Sequence, residues 1–268
     1  MFSLASSRSL GFHGEPGGPI RYALIVLATV GCNATGATVE EGTGNGTGTD
    51  LDGNVLDWTD VSDDAGTGSG TLEVDGTIDA EPLDLTAETI EDLETDIEFD
   101  IFDADGNEVV GATVTVTSAV GEIVLEDCGG SYCGLQQGYG GSFTVDIEAG
   151  DDFVSGLVIV GPQLHLLDAP NLEEMLDATQ PLDIAWSPSG QAQFTRIATN
   201  DFDIELDGDP GSYTLDADLL EAEPDAEVEE EIDIEREREV VPEGALPGSQ
   251  VRVVVVNAWE TMVAPTEP

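Results

Sequence analysis

The chain contains no lysine; its six basic residues are all arginine, set against 57 acids, for a formal charge of −51 at neutral pH. Without lysine there is no Schiff-base amine and no phosphate-loop lysine. Without a basic patch nothing displaces the counterions of a nucleic acid, so that class of partner is excluded. Histidine is nearly as scarce, with only His13 and His165 present. His165 sits in the apolar run Leu164 to Leu167, where a structural imidazole is the simpler reading than a general base. No Gly-x-Ser-x-Gly elbow accompanies it. Acids are so abundant that no pair of carboxylates singles itself out for glycoside hydrolysis. These absences point to a non-enzymatic protein.

The run Tyr22 to Val30, preceded by Arg21, is the greasiest part of the N-terminal region. As a helix it reaches about 14 Å at ~1.5 Å per residue, roughly half of a hydrocarbon core. Residues 1–31 therefore read as a signal peptide. Thr29-Val30-Gly31-Cys32 resembles the lipobox of bacterial lipoproteins. The resemblance implies that Cys32 is acylated, becomes the new N-terminus, and holds an exported protein at the membrane of the cell envelope. Asn33 in the following position implies the outer membrane. The alternative is an ordinary secreted protein with Cys32 unmodified.

Residues 32–70, with Gly-Thr-Gly-Asn-Gly-Thr-Gly and Gly-Thr-Gly-Ser-Gly, hold few large apolar side chains and bury too little surface to offset ordering entropy. They read as a disordered tether. At ~5–6 Å × √n its ends lie roughly 35 Å apart, enough to hold a folded domain clear of a lipid surface. Of three cysteines, setting aside Cys32 leaves an even remainder, as an oxidising compartment favours. Cys128 and Cys133 flank Gly-Gly-Ser-Tyr between two strand-like runs and read as a disulfide. Their spacing fits neither the Cys-x-x-Cys redox pattern nor a zinc site.

From Thr71 onward short strands alternate with Gly and Asp turns. Ile97, Phe99 and Ile101 share one face of Thr95 to Ile101, the period of a half-buried strand. Asp103-Ala-Asp-Gly-Asn makes a tight turn, and Ala112, Val114 and Val116 alternate with threonines in a returning strand. Phe143, Val145 and Ile147 follow, then Phe153 to Val160. Leu182, Ile184 and Trp186 alternate in the next region, as do Phe202, Ile204 and Leu206, and finally Val251, Val253 and Val255. The glutamate-rich stretch Ala226 to Val241 reads as strand, because Ile232 and Ile234 are β-branched and two apart. The fold class is all-β.

The pattern Asp-x-x-Gly-x-x-Val-x-Gly-Ala-x-Val-x-Val, from Asp103 to Val116, resembles bacterial Ig-like and carboxypeptidase-regulatory-like domains. The tryptophan of Pro-Leu-Asp-Ile-Ala-Trp-Ser-Pro, Trp186, is similarly placed to one that packs between Ig sheets. The resemblance implies two tandem Ig-like antiparallel β-sandwiches, residues 71–161 and 162–259, a frayed tail at 260–268, and no catalytic residues.

Three Asp-Gly turns, at Asp50, Asp103 and Asp207, offer carboxylates to calcium. Asp103 and Asp105 are the candidate ligands, although the twelfth position from Asp103 is Val114, which cannot ligate. The simpler reading is a turn in which aspartate bonds its own backbone. Tyr132 and Tyr139, near glutamines, could stack on a sugar at a sandwich rim, or pack the core. The expected function is thus a surface or periplasmic binding or scaffold protein with no cofactor beyond a structural calcium, its partner a protein or glycan. A glycan- or calcium-binding adhesin module and an exported hydrolase are the alternatives.

Self-repulsion on this halophilic-type surface opposes compaction and is screened over about 8 Å at physiological salt, and over less in brine. The melting temperature is therefore expected to rise between about 50 mM and molar sodium chloride. A melt that stays put across that range would show that repulsion does not limit stability.

Overall fold

The computed structural model describes residues 61–217, 219–224 and 226–265, with the backbone of 47–49 and 55–57. The signal-peptide and Cys32 readings lie outside the described residues, as does the Asp50 turn. The strands are β1 (Thr47–Thr49), β2 (Val55–Asp57), β3 (Thr67–Gly68), β4 (Leu72–Pro82), β5 (Leu93–Asp103), β6 (Thr113–Ser118), β7 (Glu122–Val124), β8 (Glu126–Asp127) and β9 (Ser131–Gln137). There follow β10 (Ser142–Ala149), β11 (Asp152–Val160), β12 (Leu166–Ala169), β13 (Leu182–Ser187), β14 (Phe194–Ala198), β15 (Asp203–Asp207), β16 (Ser212–Leu215), β17 (Val228–Val240) and β18 (Gln250–Val263). A single 3-10 turn, Ile90–Asp92, is the helical element among the described residues. The all-β class expected from the sequence is what the chain adopts.

An eight-stranded sheet runs in the order β15-β14-β17-β18-β4-β5-β9-β8, beside a five-stranded sheet β3-β11-β10-β6-β7 and a three-stranded sheet β12-β13-β16. Period-two alternation builds them. On β4, Leu72, Val74, Ile78 and Ala80 point inward and acids outward. Glutamate-rich β17 is a strand for the reason its isoleucines suggest, with Ile232 and Ile234 fully buried.

Two apolar cores result. The first joins Ile97 and Phe99 of the large sheet to Phe143 and Leu157 of the five-stranded sheet. The second joins Ile232 and Trp259 of the large sheet to Ile184 and Trp186 of the three-stranded sheet. β18 serves both, giving Val251, Val253 and Val255 to the first and Trp259 and Val263 to the second. It pairs antiparallel with β17 in unbroken register, Val228 to Val263 through Val240 to Val251. Its other neighbour is β4, in parallel pairing. Among the described strands every other ladder is antiparallel, with one further parallel bridge between Leu176 and Val263.

Three sequence expectations change at their edges. The returning strand after the Asp103 turn is not the hairpin partner of β5: Phe102 and Glu108 form one bridge, and the chain then crosses so that β6 pairs with β10 and β7. The tether does not extend to residue 70. Asp64 bridges Val158, β3 pairs with β11, and Asp63 accepts from the Val160 amide and from Arg238. These attachments are polar, so a reading based on apolar content misses them; further back, β1 and β2 pair antiparallel within the same stretch. The C-terminal strand continues past Trp259 to Val263, which is fully buried and opposite Val228.

Gly161 marks a point of close approach. A Cβ there would lie 1.9 Å from the Tyr139 hydroxyl and 2.5 Å from Val253 Cγ1. The Tyr139 hydroxyl donates to the Pro162 carbonyl at 2.7 Å and cannot easily retreat. Gly161→Ala is expected to destabilise by about 1–3 kcal/mol, lowering the melting temperature by roughly 2–4 °C per kcal/mol. An unchanged melt would show that the core relaxes around the methyl group.

Candidate functional site

Cys128 and Cys133 form a disulfide across the β8–β9 turn, with Cα atoms 5.9 Å apart. In the chain-entropy account a loop this short contributes about 2 kcal/mol. Asp103 Oδ1 accepts from the amides of Asp105 and Asn107, both at 2.9 Å, and from the Asn107 side chain. These bonds hold its carboxyl below the usual range. The Asp103 turn thus consumes its own carboxylate on backbone, as an Asx turn does, and Asp105 contributes its amide. Among the described residues no group of three or more His, Cys, Asp or Glu is placed to hold a metal.

Both tyrosines correct the rim reading. Tyr132 is buried, its hydroxyl donating to the Val109 carbonyl at 2.7 Å and accepting from the Ala112 amide at 2.8 Å. Tyr139 is fully buried, tilted against Phe143 with ring centroids 5.7 Å apart. Neither ring presents a face to a ligand. His165 is also sealed in, edge-on to Trp259, and burial pushes its pKa well below the ordinary value. It stays neutral and out of reach of solvent.

The third Asp-Gly turn leads to a group that the sequence did not single out. Asp209 and Arg236 form an ion pair in which both side chains are wholly buried. Asp209 also accepts from the Trp186 indole at 2.8 Å and from the Gln191 amide at 3.0 Å, while Arg236 donates to the Gln163 carbonyl at 2.9 Å. Every lone pair and proton so engaged offsets desolvation, and removing one partner of such a pair costs about 3–5 kcal/mol. The arrangement is a structural lock on the second core.

The outward face of the eight-stranded sheet is a field of carboxylates. One row across it runs Asp207, Phe194, Glu237, Val254, Asp79, Asp96. Burial, with Glu81, Glu235 and Asp96 nearby, pushes Asp79 up to about 7 against the opposing pull of Arg252. Asp233 moves the same way, through burial and Glu231. This face is a store of mutual repulsion, in which a few carboxylates hold their protons to near neutrality.

A different surface has the shape of a binding site. On the outer face of the five-stranded sheet an open hollow of about 480 Å³ is bordered by Thr67, Thr115, Asp146, Glu148, Phe153 and Ser155. It forms where the β10–β11 register shifts between Val145 and Ile147, next to Gly156 at φ 68°. Such bulges re-aim side chains at the edges of sheets. Phe153 is 40 % exposed here. The sequence placed Phe153 in a strand but not at a site; the Ser155-Gly156 pair within that strand was the available signal.

No family model matches the sequence, and no curated protein is found to be similar to it.

The raised carboxylates set a pH dependence. Because their folded-state values exceed the unfolded one, the folded chain holds these protons more tightly. The associated penalty is absent below about pH 4 and grows toward pH 7. The melting temperature is expected to be higher at about pH 5.5 than at about pH 8, and Asp79→Asn should raise it at the higher pH while flattening part of that slope. Stability that instead climbs from acid to neutral pH would show that the sheet face carries no such penalty.

Proposed function

We propose that this chain is a non-enzymatic, exported lipoprotein of the bacterial cell envelope, a binding or scaffold protein built from Ig-like β-sandwich modules. The observation that carries this is the Cys128–Cys133 disulfide. Three cysteines resolve into one pair and one residue, Cys32, that follows a short apolar run and a lipobox-like tetrapeptide. A formed pair fits an oxidising compartment, and the remaining thiol fits acylation. No helix among the described residues is long and apolar enough to cross a membrane. In this reading the acylated Cys32 is the point of attachment. A chain of this charge also resists non-specific association with other acidic macromolecules at the envelope.

A second reading, an adhesin-type module that takes a glycan, is favoured by the hollow beside Phe153. It moves the glycan reading away from Tyr132 and Tyr139, whose rings are buried.

The test is the intact mass of protein extracted from membranes with detergent, before and after reduction. The expected species begins at Cys32, carries added acyl mass, and gains about two daltons on reduction. An unmodified chain cut elsewhere would overturn the lipoprotein reading and leave a soluble secreted protein.

A further inference from the structure

We infer that the hollow on the five-stranded sheet is a subsite for a neutral saccharide, stacked on Phe153 and hydrogen-bonded by Glu148, Thr67 and Thr115. The inference rests on the reading of this chain as a binding protein and names the ligand class and the place.

The backbone that carries Phe153 is pinned: its amide donates to Ser69 Oγ at 3.0 Å and its carbonyl accepts from the Ser69 amide at 2.9 Å. Glu148 stands directly opposite it on β10 and has Thr113 of β6 on its other side. An aromatic ring beside hydroxyls and a carboxylate matches the two faces of a sugar, C–H groups that stack and hydroxyls that bond. Asp146 is fixed in place, accepting from Ser155 Oγ at 2.6 Å and the Gly156 amide at 2.9 Å. A rigid border of this kind lowers the ordering cost of binding.

Other occupants fit less well. A peptide added as a strand needs a free backbone edge, but at this point β11 is already paired with β10 on one side and β3 on the other. A purely apolar ligand would strip water from two carboxylates and three hydroxyls without replacing their bonds. An anionic sugar would meet Asp146 and Glu148 with no arginine in the lining to neutralise it. The neutral saccharide remains, and the hollow's volume lies within the range of small-molecule sites.

The test is calorimetric titration of the full mature chain with cellohexaose, maltohexaose, mannohexaose and a hexameric uronate. Saturable binding of at least one neutral hexamer is expected, weakened tenfold or more by Phe153→Ala and measurably by the surface change Glu148→Gln. Val124→Ala, on the exposed far edge at β7, should leave it unchanged. Circular dichroism and melting establish that each variant is folded. Binding of no neutral hexamer, binding indifferent to both Phe153→Ala and Glu148→Gln, or tighter binding of the uronate would each overturn the site. The anchor is read separately by intact mass, so a chain that is acylated but takes no sugar sinks only this inference. Shortened oligosaccharide after incubation, with binding still lost in Phe153→Ala, would keep the site and overturn the non-enzymatic reading.

Discussion

The rest of the structure depends on the long hairpin of β17 and β18. Its unbroken register forces alternate residues of both strands onto opposite faces of the large sheet. One face then supplies Val251, Val253 and Val255 to one core and Ile232, Ile234 and Trp259 to the other. A slip of β17 by one residue would turn Ile232 and Ile234 toward water and put glutamates inside. The same alternation therefore fixes two cores at once. It also dictates where the acids go, because each inward valine or isoleucine commits its neighbours to the opposite face.

That commitment explains the electrostatics. Glu231, Asp233, Glu235 and Glu237 must share one side of β17, and Asp79 and Asp96 are brought opposite each other on β4 and β5. Arg196 and Arg252 are the cations of this face. Arg196 pairs with Asp203 and Glu235, and Arg252 lowers the charge cost at Asp79. Arg236 points the other way, into the interior, where Asp209 meets it. The Arg236–Asp209 pair is the one of these in which both charges are fully buried, so there the loss of either partner is most costly.

The strands were legible because their signal is local. β-branched and aromatic residues two apart, as at Ile97, Phe99 and Ile101 or at Ile232 and Ile234, have one economical conformation. What was not legible depends on distant partners. Tyr132 and Tyr139, amid glycines and glutamines, look like rim residues, yet both are buried, and it is the distant Gly161 that makes room for the Tyr139 hydroxyl. Arg236 in an acidic run looks solvated, and only its pairing with Asp209, 27 positions earlier, shows otherwise. The strap at 61–70 is held by amide and carboxylate bonds, which leave no hydrophobic trace. The hollow beside Phe153 arises from a register shift between two strands, and a register belongs to neither strand alone.

The parallel pairing of β18 with β4 joins segments some 175 positions apart, as the bond between Gln250 and Asp75 illustrates. Contacts of such separation form late, since a long loop must close before they return anything. During synthesis the N-terminal half therefore lacks the centre of its own sheet until the last strand emerges. Because β18 lines both cores and joins β17 to β4, neither core is complete before that strand is in place.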